Sequence, residues 1–125
     1  EEDTRVPLSQ SEQLCEELRT AIGFFEERAD ELEPARLRVG VDSLSPLAQR
    51  DLEATKRHLR ALAATVRDVH GMAHYHLRVP DDEDVVAALT PVFDVRIELR
   101  KRPSRGPEQR WHVPELDATT MWVEL

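Results

Sequence analysis

The chain has 125 residues with a formal net charge of −8, and hydrophobic residues make up 40% of it. This length suits a single core, and we predict one domain over residues 1–125. The single cysteine, Cys15, excludes an internal disulfide, and no apolar run approaches the ~20 residues of a membrane span. We therefore expect a cytoplasmic protein without contact to a membrane.

The acidity lies in the first part of the chain, which also carries a helical pattern. Residues 1–34 contain eleven acidic residues and three arginines, whereas the remaining residues balance to zero. Apolar residues recur there at spacings of three and four, as on one face of a helix. They are Leu14, Leu18, Ile22, Phe25, Ala29 and Leu32. The pattern predicts a helix that begins after Ser9 and ends before Pro34.

A second long helix is predicted to begin at Ser45-Pro46, with proline in its first turn, and to end at Gly71. Its apolar positions alternate at spacings of three and four, which is the pattern of a heptad seam. They are Leu52, Thr55, Leu59, Leu62, Val66 and Val69. The connector 35–44 contains a short alternating strand. Two helices of similar length with a short connector predict an antiparallel hairpin over residues 9–72.

The remaining residues, 73–125, have the character of a sheet-forming part. We predict a strand at 74–79, a short helix that starts in the acidic run 81–84, and a strand at 93–100 in which apolar and charged residues alternate. A loop at 103–109 and two further strands follow. The complete prediction is an α+β fold: a long antiparallel two-helix hairpin followed by a small, mostly antiparallel sheet with one short helix.

Three histidines, His70, His74 and His76, form the one cluster that suggests a metal-dependent enzyme. On a helix, His70 and His74 would share a face, but Gly71 is expected to break that helix. The acidic run 81–84 lacks the glycine and the distal glutamate of a calcium loop. Neither a phosphate-binding glycine loop nor a nucleophile motif is present, and Cys15 is expected to be a buried, inert thiol. We therefore predict no catalytic residues, no metal and no cofactor.

A basic segment over residues 96–110 is the strongest functional lead. We single out Arg100, Lys101, Arg102 and Arg105 as a partner-binding basic hairpin. An acidic protein surface is one partner for it. Nucleic acid is the alternative, because cations contact phosphates and the neighbouring Trp111 could stack on a base.

The outer face of the first helix is the second lead. Glu16, Glu17 and Glu27 form an acidic surface there that a basic partner would neutralise. Phe24 lies beside the main apolar stripe and could mark a dimer face.

The sequence thus predicts a protein–protein interaction module without catalytic activity of its own: an adaptor, regulatory or assembly domain that binds another protein or a second copy of itself. The alternative is nucleic-acid binding by residues 96–110, and the third hypothesis is a metal-dependent enzyme that uses the histidines at 70–76.

Overall fold

The computed structural model describes residues 10–28, 33–34 and 36–125. Within this part the chain has four α-helices and two β-sheets, so the predicted mixture of helix and sheet is confirmed. The chain divides into two compact units, residues 1–78 and 79–125, which we call the N-terminal and the C-terminal unit. The assignment of the whole chain to one domain, with a sheet-forming part from residue 73, stays a prediction.

The N-terminal unit alternates helices with two short strands. Its elements are α1 (Gln10–Arg28), β1 (Arg38–Val41), α2 (Ser45–Arg50), α3 (Leu52–Asp68) and β2 (Met72–Tyr75). The predicted start at Ser9 and the apolar positions Ala29 and Leu32 lie outside the described residues. None of the helices that the structure describes is both long enough and apolar enough to cross a membrane.

The two long helices α1 and α3 pack against each other, but not as an antiparallel hairpin. Near the start of α1, Ser11 and Cys15 both contact His58 in the middle of α3. Further along, Ile22 lines a groove with Thr65 and Asp68 near the end of α3. Contacts therefore advance in the same direction along both helices. The predicted antiparallel direction is wrong because the connector contains β1, which returns the chain before the next helix begins.

The predicted second helix is divided in two at Asp51. This residue has an extended backbone, with φ −155° and ψ 95°, and its carboxylate accepts a hydrogen bond from the Ala54 backbone N–H at 3.0 Å. Aspartate at this position caps the new helix start. Ser45 is the first residue of the short helix α2, and its hydroxyl accepts a hydrogen bond from the Arg78 backbone N–H.

The apolar seam of α3 matches its prediction closely, whereas that of α1 is rotated. The five predicted positions after Leu52 are all buried: Thr55, Leu59, Leu62 and Val66 within α3, and Val69 directly after it. In α1 the buried residues are Ser11, Cys15 and Ile22, and Phe25 is exposed. The buried side of α1 therefore passes through Ser11, Cys15 and Ile22 and does not include Phe25.

Strands β1 and β2 pair in parallel, joined by the helices α2 and α3. The predicted strand at 74–79 thus begins earlier and belongs to this two-stranded sheet rather than to an antiparallel one. The core of the unit forms where this sheet meets the long helices and contains Cys15, Ile22, Val39, Leu62, Val66 and Val69. Gly40 lies opposite His74, and a Cβ atom at Gly40 would stand 2.8 Å from the His74 Nε2 atom.

Helix α3 ends in two overlapping backbone hydrogen bonds. The N–H of Gly71 donates to the Val66 carbonyl at 2.8 Å, and the N–H of His70 donates to the Arg67 carbonyl at 3.0 Å. This pattern is a Schellman motif, in which the first residue after the cap has a left-handed backbone and is usually glycine. Here that residue is His70, with φ 54°, and not the predicted Gly71.

The C-terminal unit has one short helix and an antiparallel sheet. Its elements are α4 (Asp84–Leu89), β3 (Arg96–Lys101), β4 (Pro107–Val113), β5 (Ala118–Thr119) and β6 (Val123–Glu124). A single turn of 3-10 helix follows α4, and another follows β4. The predicted short helix and the predicted strand at 93–100 are both present. The predicted loop at 103–109 is shorter, because β4 begins at Pro107.

We predict that His70→Gly stabilises the N-terminal unit by about 0.5–1 kcal/mol, because glycine adopts a left-handed backbone without steric cost. Gly71→Ala is the matched comparison and should destabilise it, because the new Cβ would lie 3.0 Å from the Leu37 carbonyl oxygen and 3.2 Å from Val66 Cγ1. Urea denaturation followed by far-UV circular dichroism measures both. An unchanged or lower midpoint for His70→Gly would contradict the strain at His70.

Candidate functional site

The sheet of the C-terminal unit separates charged from apolar side chains onto opposite faces. The register pairs Arg96 with His112, Glu98 with Arg110 and Arg100 with Glu108. Side chains alternate across a strand, so these three pairs share one face, which we call the ionic sheet face. Along β3 the residues on the ionic sheet face are the less exposed ones. The apolar residues of β3 consequently lie on the more exposed face.

Glu98 is the centre of the ionic sheet face. Its Oε1 atom accepts a hydrogen bond from Arg110 Nε at 2.7 Å and lies 2.8 Å from His112 Nε2. Partial burial alone would raise the pKa of Glu98, but the hydrogen bonds and charges of His112 and Arg110 hold it below its usual value. Glu98 is therefore a carboxylate at neutral pH, fixed between two neighbours. Asp81 forms an adjacent ion pair with Arg96.

Asp81, Glu98 and His112 bring their ligand atoms within 4.8 Å of one another, the closeness that a metal site requires. The chemistry of the neighbours does not suit a cation, however. Each carboxylate is already bound by an arginine, Asp81 by Arg96 and Glu98 by Arg110. A divalent ion there would meet two guanidinium groups at close range, so the cluster is better described as an ion-pair network.

The predicted basic hairpin is partly neutralised. Glu108 is buried, and its Oε1 atom accepts hydrogen bonds from Arg100 Nε and Arg102 Nε, both at 3.1 Å. Desolvation would raise the pKa of Glu108, but the hydrogen bonds and charges of the two arginines lower it. The side chains of Lys101 and Arg105 form no ion pair within the described part of the chain and remain exposed cations.

Trp111 and Arg100, one of the predicted phosphate-binding residues, lie on opposite faces of the hairpin. The indole of Trp122, not that of Trp111, is covered by guanidinium groups, with Arg100 at 3.7 Å and Arg110 at 4.6 Å from the ring centre. Trp111 is directly opposite Ile97 on the other face, and its Nε1 donates a hydrogen bond to Gln109 Oε1. A base stacked on Trp111 would therefore not meet Arg100 or Arg110.

The second face of the sheet is apolar and exposed, the reverse of an ordinary antiparallel sheet. We call it the apolar sheet face and define it by four residues, whose exposed fractions are 49% for Ile97, 66% for Leu99, 43% for Trp111 and 57% for Val123. Val123 belongs to this face because it pairs with Gln109, which is two residues from Trp111 on β4 and therefore lies on the same face. Sequence alternation could have identified these residues, but not which of the two faces is covered.

The acidic residues predicted on the first helix are exposed there. Glu16 and Glu27 are eleven residues apart, which is close to three helical turns and places them on one side of α1. Glu17 is exposed beside them. Glu16 also lines an open groove between the long helices together with Arg19 and Asp68.

The predicted histidine cluster is divided by the end of α3. His74 and His76 lie on the same face of the chain after α3, with ring centres 5.8 Å apart, whereas His70 occupies the exposed left-handed turn. Within the described residues these three histidines do not form a group of metal ligands.

Polar residues follow the carboxyl ends of β1 and β2, a feature that the sequence analysis did not identify. Arg78 NH2 donates to Asp42 Oδ1 at 3.0 Å, and His76 Nδ1 is 3.8 Å from the same oxygen. Parallel strands in α/β sheets bind ligands at this edge. The signal in the sequence was an aspartate directly after a predicted strand, but its use requires knowing that β1 and β2 are parallel.

Polar contacts also join the two long helices. The Ser11 hydroxyl lies 2.7 Å from His58 Nδ1, and Glu12 Oε1 lies 3.5 Å from His58 Nε2. Serine, histidine and carboxylate are the components of a hydrolase triad. Ser11, however, is buried between the two helices, where a substrate could not reach its hydroxyl. The adjacent Cys15 thiol donates to the His58 carbonyl, and burial raises its pKa against the opposing effect of Arg19. These contacts fix the position of α1 along α3.

The described structure and its surfaces define a mixed α+β protein with an exposed apolar sheet face. A family model described as a family of unknown function, DUF7504, matches residues 1–99. The chain therefore belongs to the DUF7504 family. The match includes all of the N-terminal unit and ends at Leu99, within β3. No curated protein matches the chain.

We predict that Glu98→Gln destabilises the C-terminal unit by about 1–3 kcal/mol, because the acceptor that Arg110 and His112 share loses its negative charge. Folding lowers the pKa of Glu98 from its unfolded value of about 4.5. The carboxylate therefore contributes its full share of the folding free energy above pH 4.5, and this share is lost as the pH falls through the lower pKa of the folded state. The variant should therefore lose less stability than the wild type on acidification. Urea denaturation followed by tryptophan fluorescence reports on this unit, which holds both tryptophans. The exposed Glu124→Gln is the control.

A double-mutant cycle of Ser11→Ala and His58→Ala should give a coupling energy of about 0.5–3 kcal/mol, as expected for two groups that share a partly buried hydrogen bond. Chemical denaturation of the wild type, both single variants and the double variant measures it. Strictly additive effects would mean that this contact does not help to position α1.

Proposed function

We propose that this protein is a protein–protein interaction module and that the apolar sheet face is its main contact surface. The observation that carries the proposal is the inverted sheet. Its ion pairs lie on the less exposed face, while Ile97, Leu99, Trp111 and Val123 lie on the more exposed one. The largest apolar patch that a monomeric protein exposes is often a functional contact surface.

The physical chemistry of the apolar sheet face favours a protein partner. Tryptophan is enriched at the energetic centres of protein interfaces, where surrounding contacts exclude water from it. Here Trp111 and Ile97 form a cross-strand pair. Lys101 provides a polar group at the hairpin end of the face, and Gln109 lies between Leu99 and Val123.

The acidic surface of Glu16, Glu17 and Glu27 and the two unpaired cations Lys101 and Arg105 remain as second contact surfaces within this proposal. The packed pair of long helices would hold the acidic surface rigid. An adaptor or regulatory role in the cytoplasm, without catalysis, is the corresponding biological setting. Nucleic-acid binding by residues 96–110 is the weaker alternative, since Arg100, Arg102 and Arg110 already bind carboxylates.

A photo-crosslinking amino acid at position 99, introduced into the protein in its own cells, should yield protein adducts on irradiation. The side chain at this position is two-thirds exposed and lies on the apolar sheet face, so a bound partner would be within reach. The same crosslinker at the exposed position 53 on α3 is the control. Denaturing electrophoresis followed by mass spectrometry identifies the adducts.

The crosslinker is also placed at position 16 on the acidic surface. Adducts at position 16 and none at position 99 would move the contact to the first helix. The absence of adducts above the control at both positions would overturn the interaction proposal.

A further inference from the structure

We propose that the partner on the apolar sheet face is a second copy of this chain, so that two copies of the sheet pack face to face about a two-fold axis. This inference rests on the proposed function and names its partner. It is supported by the charge distribution of the face, by its area and by the position of its one cation.

The charge distribution suits self-association. A two-fold interface brings the same patch of both copies together, so a patch with a strong charge of one sign would repel itself. On β3 and β4, the ionic groups from Arg96 to Arg100 and from Glu108 to His112 lie on the ionic sheet face. Lys101 is the one charged residue that those strands place on the apolar sheet face. The centre of the patch therefore has no like charges to oppose its copy.

The four residues of the apolar sheet face supply part of the area that a dimer interface needs. At their observed exposures the four side chains each present on the order of 100 Å² of apolar surface, and together on the order of 400 Å². A stable interface covers roughly 800 Å² per partner, and in homodimers about two thirds of it is apolar. The four residues thus supply about half of the required surface, and Leu125, Gln109 and Pro107 adjoin them. Leu125 continues the ladder through a hydrogen bond to Pro107.

The position of Lys101 favours one orientation. It lies at the hairpin end of the sheet, opposite Pro107. Glu115 follows β4 at the other end of the sheet. When the strands of the two copies run in opposite directions, the hairpin end of each sheet meets the far end of its partner. Each Lys101 would then approach the Glu115 end of the other copy. Sheets that pack face to face in the aligned class keep their strand axes within about 30° of each other, which this arrangement satisfies.

The test measures the mass of the full chain in solution. Sedimentation equilibrium of the wild type should show a species of twice 14.4 kDa that increases with concentration. Leu99→Lys should raise the dimer dissociation constant at least tenfold, because it buries a charge at the interface centre. Val123→Lys is an independent second variant on the same face. Circular dichroism and tryptophan emission verify that both variants fold.

Two further variants serve as controls. Met72→Lys replaces an exposed apolar residue of the N-terminal unit and should leave the dissociation constant unchanged. Phe24→Lys tests the alternative dimer face on α1, where Phe24 is exposed. If Phe24→Lys dissociates the dimer and folded Leu99→Lys and Val123→Lys do not, the proposed face is wrong.

A wild-type chain that stays monomeric at roughly 100 µM would also overturn the dimer, because its association free energy would then be weaker than about −5.5 kcal/mol. That result leaves the interaction proposal intact if the crosslinker at position 99 still captures a different protein. Loss of both the dimer and the adducts would remove the two proposals together.

Discussion

The register between β3 and β4 is the constraint on which the C-terminal unit and both proposals depend. It pairs six residues of β3 with six of β4 and sets Glu98 opposite Arg110 and Arg100 opposite Glu108. Because side chains alternate across a strand, a shift of one residue would exchange the two faces and separate every one of these ion pairs. The paired charges therefore select the register, and the register in turn determines which residues are exposed. Ile97 and Trp111 are outward because Glu98 and Arg110 are held on the other side.

The N-terminal unit follows a different organisation, in which helices surround a pair of parallel strands. Two parallel strands need a long crossover connection. Between β1 and β2, the helices α2 and α3 form this connection. Helices α1 and α3 run in the same direction because β1, which lies between them in the chain, returns the chain to the side from which α1 began. His58 then lies beside Ser11 and Cys15, so the core seam contains a small polar network as well as apolar residues. Parallel strands also bring Asp42, His76 and Arg78 to one edge.

The DUF7504 family model matches residues 1–99. These include the first four residues of β3, where charged and apolar side chains alternate, and none of β4. The two candidate surfaces consequently differ in their relation to the family. The acidic surface on α1 lies wholly within the matched residues. The apolar sheet face combines Ile97 and Leu99 from the matched part with Trp111 and Val123 beyond it, so the complete face requires the last part of this chain.

The sequence by itself determined that two long segments are helical, the alternation of β3, the position of the short helix and the buried seam of α3, because these patterns arise from local spacing. It did not determine the direction of α1 against α3 or the parallel pairing of β2, because both depend on where the chain returns in space. The break at Asp51 and the left-handed turn at His70 depended on capping hydrogen bonds that compete with helix propensity. Above all, alternation predicted two faces for the sheet, but only the tertiary structure decided that ion pairs would occupy the covered face, since mutual neutralisation allows charged groups to be buried.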